Sequence, residues 1–217
     1  MKIGIPKETK ERENRVALSP EVVKSLVSSG FEVTIETGAG ENSYFADAMY
    51  KESGAIIAGD SKSIYSTSDV VLKVNAPEPQ EIATMKKSAV LISFMWAATN
   101  PSIVEACEKA GISAFSMDAI PRISRAQKMD ALSSQSNLAG YKTVLLGANA
   151  LGKIFPLMMT AAGTIKPCKV VIMGAGVAGL QAIATAKRLG AIVEVSDIRP
   201  ETKEQVESLG GKFIEVK

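Results

Sequence analysis

The sequence contains no histidine among its 217 residues. A dehydrogenase that oxidises an alcohol or an amine needs a general acid–base group whose pKa lies near the working pH, and histidine is the usual choice. Lysine or a carboxylate can take that role, so the absence does not decide the chemistry by itself. It favours a reaction that requires no proton transfer to or from the substrate.

Cysteine and net charge are also scarce. The two cysteines, Cys107 and Cys168, have no partners at metal-ligand spacing, so we expect buried thiols in a reducing compartment and no metal site. The formal net charge is only +2. It does not indicate nucleic acid or an acidic membrane surface as the main partner.

Long uninterrupted apolar runs are missing too. The opening residues, MKIGIPKETKERENR, soon become strongly charged, so no signal peptide is expected. The most apolar window, Val170–Ala186, is broken by glycines and fits strand, turn and helix better than a membrane span. With 46% apolar and 22% charged residues, the composition is that of a globular protein of one or two domains.

The most informative stretch is Val170–Arg199, which reads VVIMGAGVAGLQAIATAKRLGAIVEVSDIR. An apolar strand leads into G-x-G-x-x-G, formed by Gly174, Gly176 and Gly179, and a helical pattern follows. Such glycines permit a tight turn and close approach of the backbone to a pyrophosphate, which the helix N-terminus then binds. A second strand ends at Asp197, whose carboxylate can accept the ribose hydroxyls of an adenosine. The whole unit predicts a dinucleotide site.

Two alternatives remain for this stretch. The glycines can serve only to pack a helix on a sheet. Asp197 would repel a 2′-phosphate and so favours NAD(H), whereas Arg199 could attract one and so favours NADP(H). The charge on Asp197 leads us to predict NAD(H).

Strand-like apolar runs alternate with helical segments in the first half of the chain. One helix is expected to begin at Ser19-Pro20 and end at Gly30, and another to begin at Asn100-Pro101 and end at Gly111. The expected strands are Ile3–Ile5, Phe31–Ile35, Ala55–Ala58, Val70–Val74, Val90–Phe94 and Ser113–Met117. Such alternation predicts a mostly parallel sheet.

Three segments are therefore predicted: a first α/β domain over residues 1–125, a helical bridge over 126–163 and a nucleotide-binding half-domain over 164–217. Within Gln127–Ala162, a long helical pattern is expected through Met129–Met159, with Leu151–Met159 as a core or interface helix. The last segment has three strands, Lys169–Met173, Ile192–Val195 and Lys212–Val216, where a full doubly wound fold has about six. The predicted class is α/β, with two Rossmann-like parallel-sheet domains joined by a long helix and the second incomplete in this chain.

An incomplete sheet leaves its first strand without a neighbour on one side. In a doubly wound sheet the fourth strand lies beside the first. We therefore expect this chain to be stable only with a complementary piece, either the remainder of the domain after Lys217 or a closely packed copy, against that edge.

Two stretches carry a family resemblance, PRISRAQKMDALSSQSNLAGY (Pro121–Tyr141) and MGAGVAGLQAIATAKRLGA (Met173–Ala191). They resemble the NAD(H)-binding domain of the alpha subunit of proton-translocating NAD(P) transhydrogenases, in the alanine dehydrogenase/transhydrogenase family. The resemblance extends over the chain from MKIGIPKETKERENRVALSP onward. That opening motif is shared with alanine dehydrogenases, whereas PRISRAQ is much more specific.

The resemblance implies that PRISRAQ forms a loop beside the nicotinamide, with Arg122, Gln127 and Asp130 in catalytic roles. Gln127 would hydrogen-bond the nicotinamide side, while Arg122 and Asp130 would position the ring and hold the loop. The alternative is a polar helix start, with Asp130 assisting the helix dipole. Resemblance and fingerprint together assign these residues to the cofactor: Gln127, Lys128, Met129, Asp130, Ser133, Gly174, Gly176, Val177, Ala178, Gly179, Asp197, Ile198 and Arg199.

The comparison with alanine dehydrogenases concerns three positions. Arg15 and Lys73 match cations that hold the substrate carboxylate in that family. The catalytic histidine of that family would fall near Trp96, and tryptophan cannot transfer a proton. We therefore expect Arg15 and Lys73 to form structural salt bridges and Trp96 to be a packing residue.

The mechanism implied by the resemblance is direct hydride transfer from NADH on this chain to NADP⁺ on a separate domain, coupled to proton movement. The implied partners are the NADP(H)-binding domain, the membrane proton-channel subunit, the remainder of the NAD-binding domain and a second copy. The implied location is the cytoplasmic face of a bacterial inner membrane, as a peripheral component, or its equivalent in the mitochondrial matrix. An alanine-type amino-acid dehydrogenase and a non-catalytic NAD-binding module are the alternatives.

Overall fold

The computed structural model describes residues 1–215. The chain divides into two compact units, Met1–Met129 and the residues from Asp130 onward. Each unit contains a parallel sheet with helices, so the predicted α/β class is confirmed. The predicted three-segment division stays a prediction.

The sheet of the first unit has six parallel strands in the order β3-β2-β1-β4-β5-β6. Its strands are β1 (Lys2–Ile5), β2 (Glu32–Glu36), β3 (Ile56–Ala58), β4 (Val70–Asn75), β5 (Val90–Phe94) and β6 (Ser113–Ser116). They match the expected runs to within a residue or two at each end. In β2, Val33 and Ile35 are buried while the residues between them are more exposed, because successive side chains of a strand point to opposite faces.

Five helices connect these strands. They are α1 (Pro20–Ser28), α2 (Asp47–Glu52), α3 (Ser61–Thr67), α4 (Pro79–Ile82) and α5 (Pro101–Ala110). Proline occupies the first position of α1 and of α5, where its missing N–H would have no partner in any case. Gly111 ends α5 with a φ of 66°, a left-handed conformation that favours glycine. The expected starts and ends of these two helices are confirmed.

The second unit begins with a long helix and continues with a hairpin and a three-stranded sheet. Its elements are α6 (Ala131–Ala150), β7 (Met158–Thr160), β8 (Gly163–Ile165), β9 (Lys169–Met173), α7 (Val177–Arg188), β10 (Ile192–Ser196), α8 (Lys203–Ser208) and β11 (Lys212–Phe213). The parallel sheet has the order β11-β10-β9, and β7 pairs with β8 in antiparallel fashion. In the predicted strand Lys212–Val216, Val216 lies outside the described residues.

The predicted helix through Met129–Met159 begins within two residues of the start of α6, but its C-terminal end is wrong. Residues Ser124–Met129 form a 3₁₀ turn, and α6 ends at Ala150. The expected core or interface helix over Leu151–Met159 is absent from the described structure. Pro156 cannot sit inside a helix without breaking a hydrogen bond, and the chain forms the β7–β8 hairpin instead.

Each unit buries its own apolar core. In the first unit, Ile5 and Ile35 lie in one buried cluster and Val71 and Leu91 in another. In the second unit, Ile183 of α7 is fully buried in the cluster beneath the sheet. Within residues 1–215, no helix has the length and apolar character needed to cross a membrane.

Candidate nucleotide-binding site

The glycine turn between β9 and α7 has a geometry that only glycine supports at two of its three positions. Gly174 has a φ of 99°, which L side chains rarely adopt. A Cβ at Gly179 would collide with the carbonyl oxygen of Gly174. These two glycines therefore shape the turn and bring the helix close to the strand.

Gly176 is different, because its surroundings are open. It is the N-cap of α7 with a φ of −81°, and, its own local backbone aside, no heavy atom of the described residues lies within 4 Å of an ideal Cβ there. Its residue type supplies no capping side chain, and the first turn of α7 carries no acidic residue. The first N–H groups of a helix lack intrahelical partners and carry positive potential. The open space at Gly176 is thus a cradle that fits a pyrophosphate.

Asp197 follows the end of β10, beside the glycine turn. Its side chain is only 4% exposed, and its Oδ2 accepts a 2.6 Å hydrogen bond from the N–H of Ala175 inside the turn. The guanidinium of Arg199 and these backbone N–H bonds hold the pKa of the Asp197 carboxyl well below its usual range. The ionised carboxylate therefore anchors the glycine turn to the end of β10. Ile198, between the two charged residues, is 99% exposed.

The helix α6 approaches α7 very closely at the start of the latter. A Cβ at Gly140 of α6 would collide with the carbonyl oxygen of Ala178. The absence of a side chain at Gly140 thus permits the close packing of α6 on α7 within the second unit. Gly140 was not among the predicted site residues, although its contact helps to place the glycine turn and Val177.

The PRISRAQ segment lies at the end of the first unit. Arg122, Gln127, Lys128 and Met129 have exposed side chains, whereas Ala126 is buried and anchors the 3₁₀ turn. Exposed amide and cationic groups on a short anchored turn are available to a ligand.

Asp130 and Ser133 belong to the second unit and form the N-cap of α6. The Asp130 carboxylate accepts hydrogen bonds from Ser133 N at 2.9 Å and from Ser133 Oγ at 2.6 Å. This is the helix-start role that the sequence left open as an alternative.

Arg15 and Lys73 are each engaged with a carboxylate, as expected. Arg15 Nη2 lies 2.7 Å from Glu13 Oε2, and Lys73 Nζ lies 3.9 Å from Glu8 Oε2. The Arg15 guanidinium lowers the pKa of Glu13 to about 2, against the opposing effect of burial. Glu8 and Glu13 were not among the residues predicted to form a site, because they lie far along the chain from Val74 and Asn75, to which they also bind.

Trp96 does not have the expected packing role. Its side chain is 51% exposed and its φ is 51°, an unusual conformation for a bulky residue. The Asp118 carboxylate holds this backbone by accepting hydrogen bonds from Met95 N at 2.8 Å and Trp96 N at 3.1 Å. Trp96 lines a cavity of about 320 Å³ in the first unit, together with Lys73.

Comparisons with known proteins cover the whole chain. The alanine dehydrogenase/PNT N-terminal domain matches residues 4–139, and the corresponding C-terminal domain matches residues 143–217. A relative from Rhodospirillum rubrum, named as the first portion of an NAD(P) transhydrogenase subunit alpha, is 55% identical, with 100% of this chain and 58% of that protein covered. The NAD(P) transhydrogenase subunit alpha of Haemophilus influenzae is 48% identical, with 100% of this chain and 42% of that protein covered.

Solved structures of the same two kinds of protein are similar to this chain. The crystal structure of a transhydrogenase from Sinorhizobium meliloti has a TM-score of 0.95 and 49% identity, covering 100% of this chain and 62% of that one. An L-alanine dehydrogenase structure has a TM-score of 0.86 and 32% identity, covering 100% of this chain and 61% of that one. The chain thus spans between about two fifths and three fifths of the length of these relatives.

Proposed function

The chain belongs to the alanine dehydrogenase/PNT family, and from that premise we propose that it is the NAD(H)-binding portion of a proton-translocating NAD(P) transhydrogenase. The 55% identity to a transhydrogenase alpha subunit, against 32% to an alanine dehydrogenase structure, supports this choice within the family. The reaction would be hydride transfer between NADH bound here and NADP⁺ bound on a separate domain.

The observation that carries the proposal is the open cradle at Gly176 at the uncapped start of α7, beside the carboxylate of Asp197. The cradle would take the pyrophosphate and the carboxylate would take the adenosine ribose. Val177 and Ala178, in the first turn of α7, would contribute backbone N–H groups. Because Asp197 is ionised, it repels a 2′-phosphate, which supports NAD(H) over NADP(H).

The nicotinamide of the cofactor supplies the hydride when it is bound. The residues of the chain bind and orient it, and none has to transfer a proton at the reacting carbon. Gln127 would hydrogen-bond the nicotinamide side, and Arg122 would position the ring. Asp130 caps α6, and Lys128 and Met129 immediately precede it along the chain, in the 3₁₀ turn. The rate enhancement would then come from orientation, because a displacement of about 1 Å can lower the rate of transfer about a hundredfold.

The proposed partners follow from the same assignment. They are an NADP(H)-binding domain, a membrane proton-channel subunit and a second copy of this chain, at the cytoplasmic face of a bacterial membrane or in the mitochondrial matrix. A further strand would pair with β9, which is the edge of its sheet among the described residues. Val171 and Met173 of β9 are 54% and 89% exposed. This exposed apolar surface on an edge strand supports a further element that packs beside β9.

Titration of the intact protein with NADH, followed by nicotinamide fluorescence, tests cofactor binding, with NADPH as the comparison. We expect tighter binding of NADH. Mixing with an NADP(H)-binding domain should then allow hydride transfer to an NADP⁺ analogue. NADH oxidation that depends on pyruvate and ammonium would instead assign an alanine dehydrogenase, and NADH binding without any transfer would assign a non-catalytic module.

A further inference from the structure

The carboxylate of Asp197 has no acceptor position left for a ribose. Its Oδ1 accepts from Arg199 N at 2.8 Å and from Arg199 Nε at 3.0 Å. Its Oδ2 accepts from Ala175 N at 2.6 Å and from Arg199 Nη2 at 3.0 Å. A carboxylate offers about four lone-pair sites, and all four are occupied.

The four hydrogen bonds differ in how easily they can be released. Two come from backbone N–H groups, of Ala175 in the glycine turn and of Arg199 itself, and they are fixed by the fold. The other two come from the guanidinium of Arg199, whose side chain is 57% exposed. Rotation of that side chain would free one lone pair on each carboxylate oxygen. Two vacant acceptors on two oxygens suit the 2′- and 3′-hydroxyls of one ribose.

We propose that Arg199 is a displaceable latch on Asp197, which the adenosine ribose of NAD(H) must open, and that Arg199 thereby sets nucleotide affinity and specificity. This inference rests on the proposed NAD(H) site and adds a competing role for a residue assigned there only as a contact. The guanidinium occupies the ribose acceptor in the free protein, so every binding event breaks two hydrogen bonds to Asp197.

Arg199 also reduces the preference for NADH over NADPH, whose 2′-phosphate Asp197 repels. While Arg199 stays nearby, its positive charge offsets the negative charge of Asp197, and its planar fork can pair with a phosphate. Without it, Asp197 would face a 2′-phosphate uncompensated. The Glu201 carboxylate also acts electrostatically on the Arg199 guanidinium, although more weakly than Asp197 does.

The test is the dissociation constant of NADH and of NADPH for the intact wild-type protein and for three variants. Arg199→Ala removes both the latch and the charge. Arg199→Lys keeps the charge but loses the two-pronged geometry. Arg188→Ala, at the end of α7, removes one exposed positive charge of the same unit and is the matched control.

We expect Arg199→Ala to bind NADH about two- to fivefold more tightly, the size of effect that an exposed ion pair supplies. The preference for NADH over NADPH should widen in this variant. Arg199→Lys should also bind NADH more tightly, with a preference close to that of the wild type. Arg188→Ala should match the wild type in both measurements.

If the wild type binds NADH, weaker binding by Arg199→Ala would overturn the latch and make Arg199 a direct contact of the nucleotide. Unchanged binding would also overturn it, and Arg199 would then have no role in NADH affinity. Absence of NADH binding in the wild type would instead overturn the proposed function, and the latch with it. The two failures are distinguished by which protein fails to bind. The exposed position of Arg199 leaves the fold intact, and far-ultraviolet circular dichroism of each variant checks this.

Discussion

Alanine substitution at two glycines of the same turn separates a packing role from a binding role. At Gly179 the added methyl group would meet the carbonyl oxygen of Gly174, which is backbone and cannot rotate away. At Gly176 it would enter open space, and the φ of −81° suits any residue. The same chemical change should therefore have opposite consequences at positions three residues apart.

For Gly179→Ala we expect a loss of about 1–3 kcal/mol in the free energy of unfolding, the usual cost of overpacking. For Gly176→Ala the smaller entropy of the unfolded chain, about 0.4–1 kcal/mol, should roughly offset the poorer N-cap. Stability should thus change little. The methyl group would instead occupy the pyrophosphate cradle and weaken NADH binding by about 1–3 kcal/mol, or roughly 5- to 150-fold in Kd.

Urea denaturation followed by circular dichroism measures the first effect, and NADH fluorescence titration measures the second. The wild type and Gly147→Ala serve as controls, because Gly147 in α6 also has open space around an ideal Cβ. Unchanged NADH affinity in Gly176→Ala would refute the cradle, and the turn would then only pack a helix on a sheet. Unchanged stability in Gly179→Ala would refute the close contact with Gly174.

Three further predictions concern single side chains. Asp197→Ala should weaken NADH binding by about 1–3 kcal/mol, the cost of removing a charged hydrogen-bonding group, and an unchanged fluorescence titration would contradict this. Gln127→Asn should slow hydride transfer far more than it weakens NADH binding, because the shortened amide misplaces the ring; stopped-flow measurements showing equal losses would mean that Gln127 only holds the cofactor. The pKa of Glu13 is lowered to about 2 in the folded state, so its contribution to stability is present above its ordinary pKa and is lost as the pH falls towards 2. Urea denaturation at several pH values should therefore show a smaller acid-induced loss of stability in Glu13→Gln than in the wild type, and an equal loss would contradict the assignment.

Much of the fold follows from patterns only a few residues long. The strands β4 and β5 coincide closely with their apolar runs, and Pro101 and Gly111 mark the two ends of α5. Such features depend on backbone conformation and on the alternation of buried side chains, which neighbouring residues determine.

The helix predicted over Leu151–Met159 is wrong because apolar content alone does not separate a helix from a strand. Residues 151–159 are mostly apolar, which suits a buried helix as well as a strand. Composition could not distinguish these two structures, although Gly152 and Pro156 are both helix breakers. In the folded chain, Met158–Thr160 pairs with Gly163–Ile165 across a short loop.

The candidate site shows the same division between local and long-range information. The glycine spacing and the acid after the second strand were sufficient to predict a dinucleotide site and to name Gly176 and Asp197. That the Asp197 carboxylate reaches back to Ala175 depends on β9 and β10 lying side by side. The contact between Gly140 and Ala178 likewise requires two helices to pack.

By itself, the sequence determined the α/β class, the positions of most strands and the glycine turn, because each is encoded by residues close together along the chain. Only the tertiary structure decided which polar groups pair: Glu8 with Lys73, Glu13 with Arg15 and Asn75, and Arg199 with both oxygens of Asp197. A carboxylate that is removed from water takes whichever donors the packing brings within about 3 Å. That choice is made in three dimensions, even where, as for Asp197 and Arg199, the partners are two residues apart.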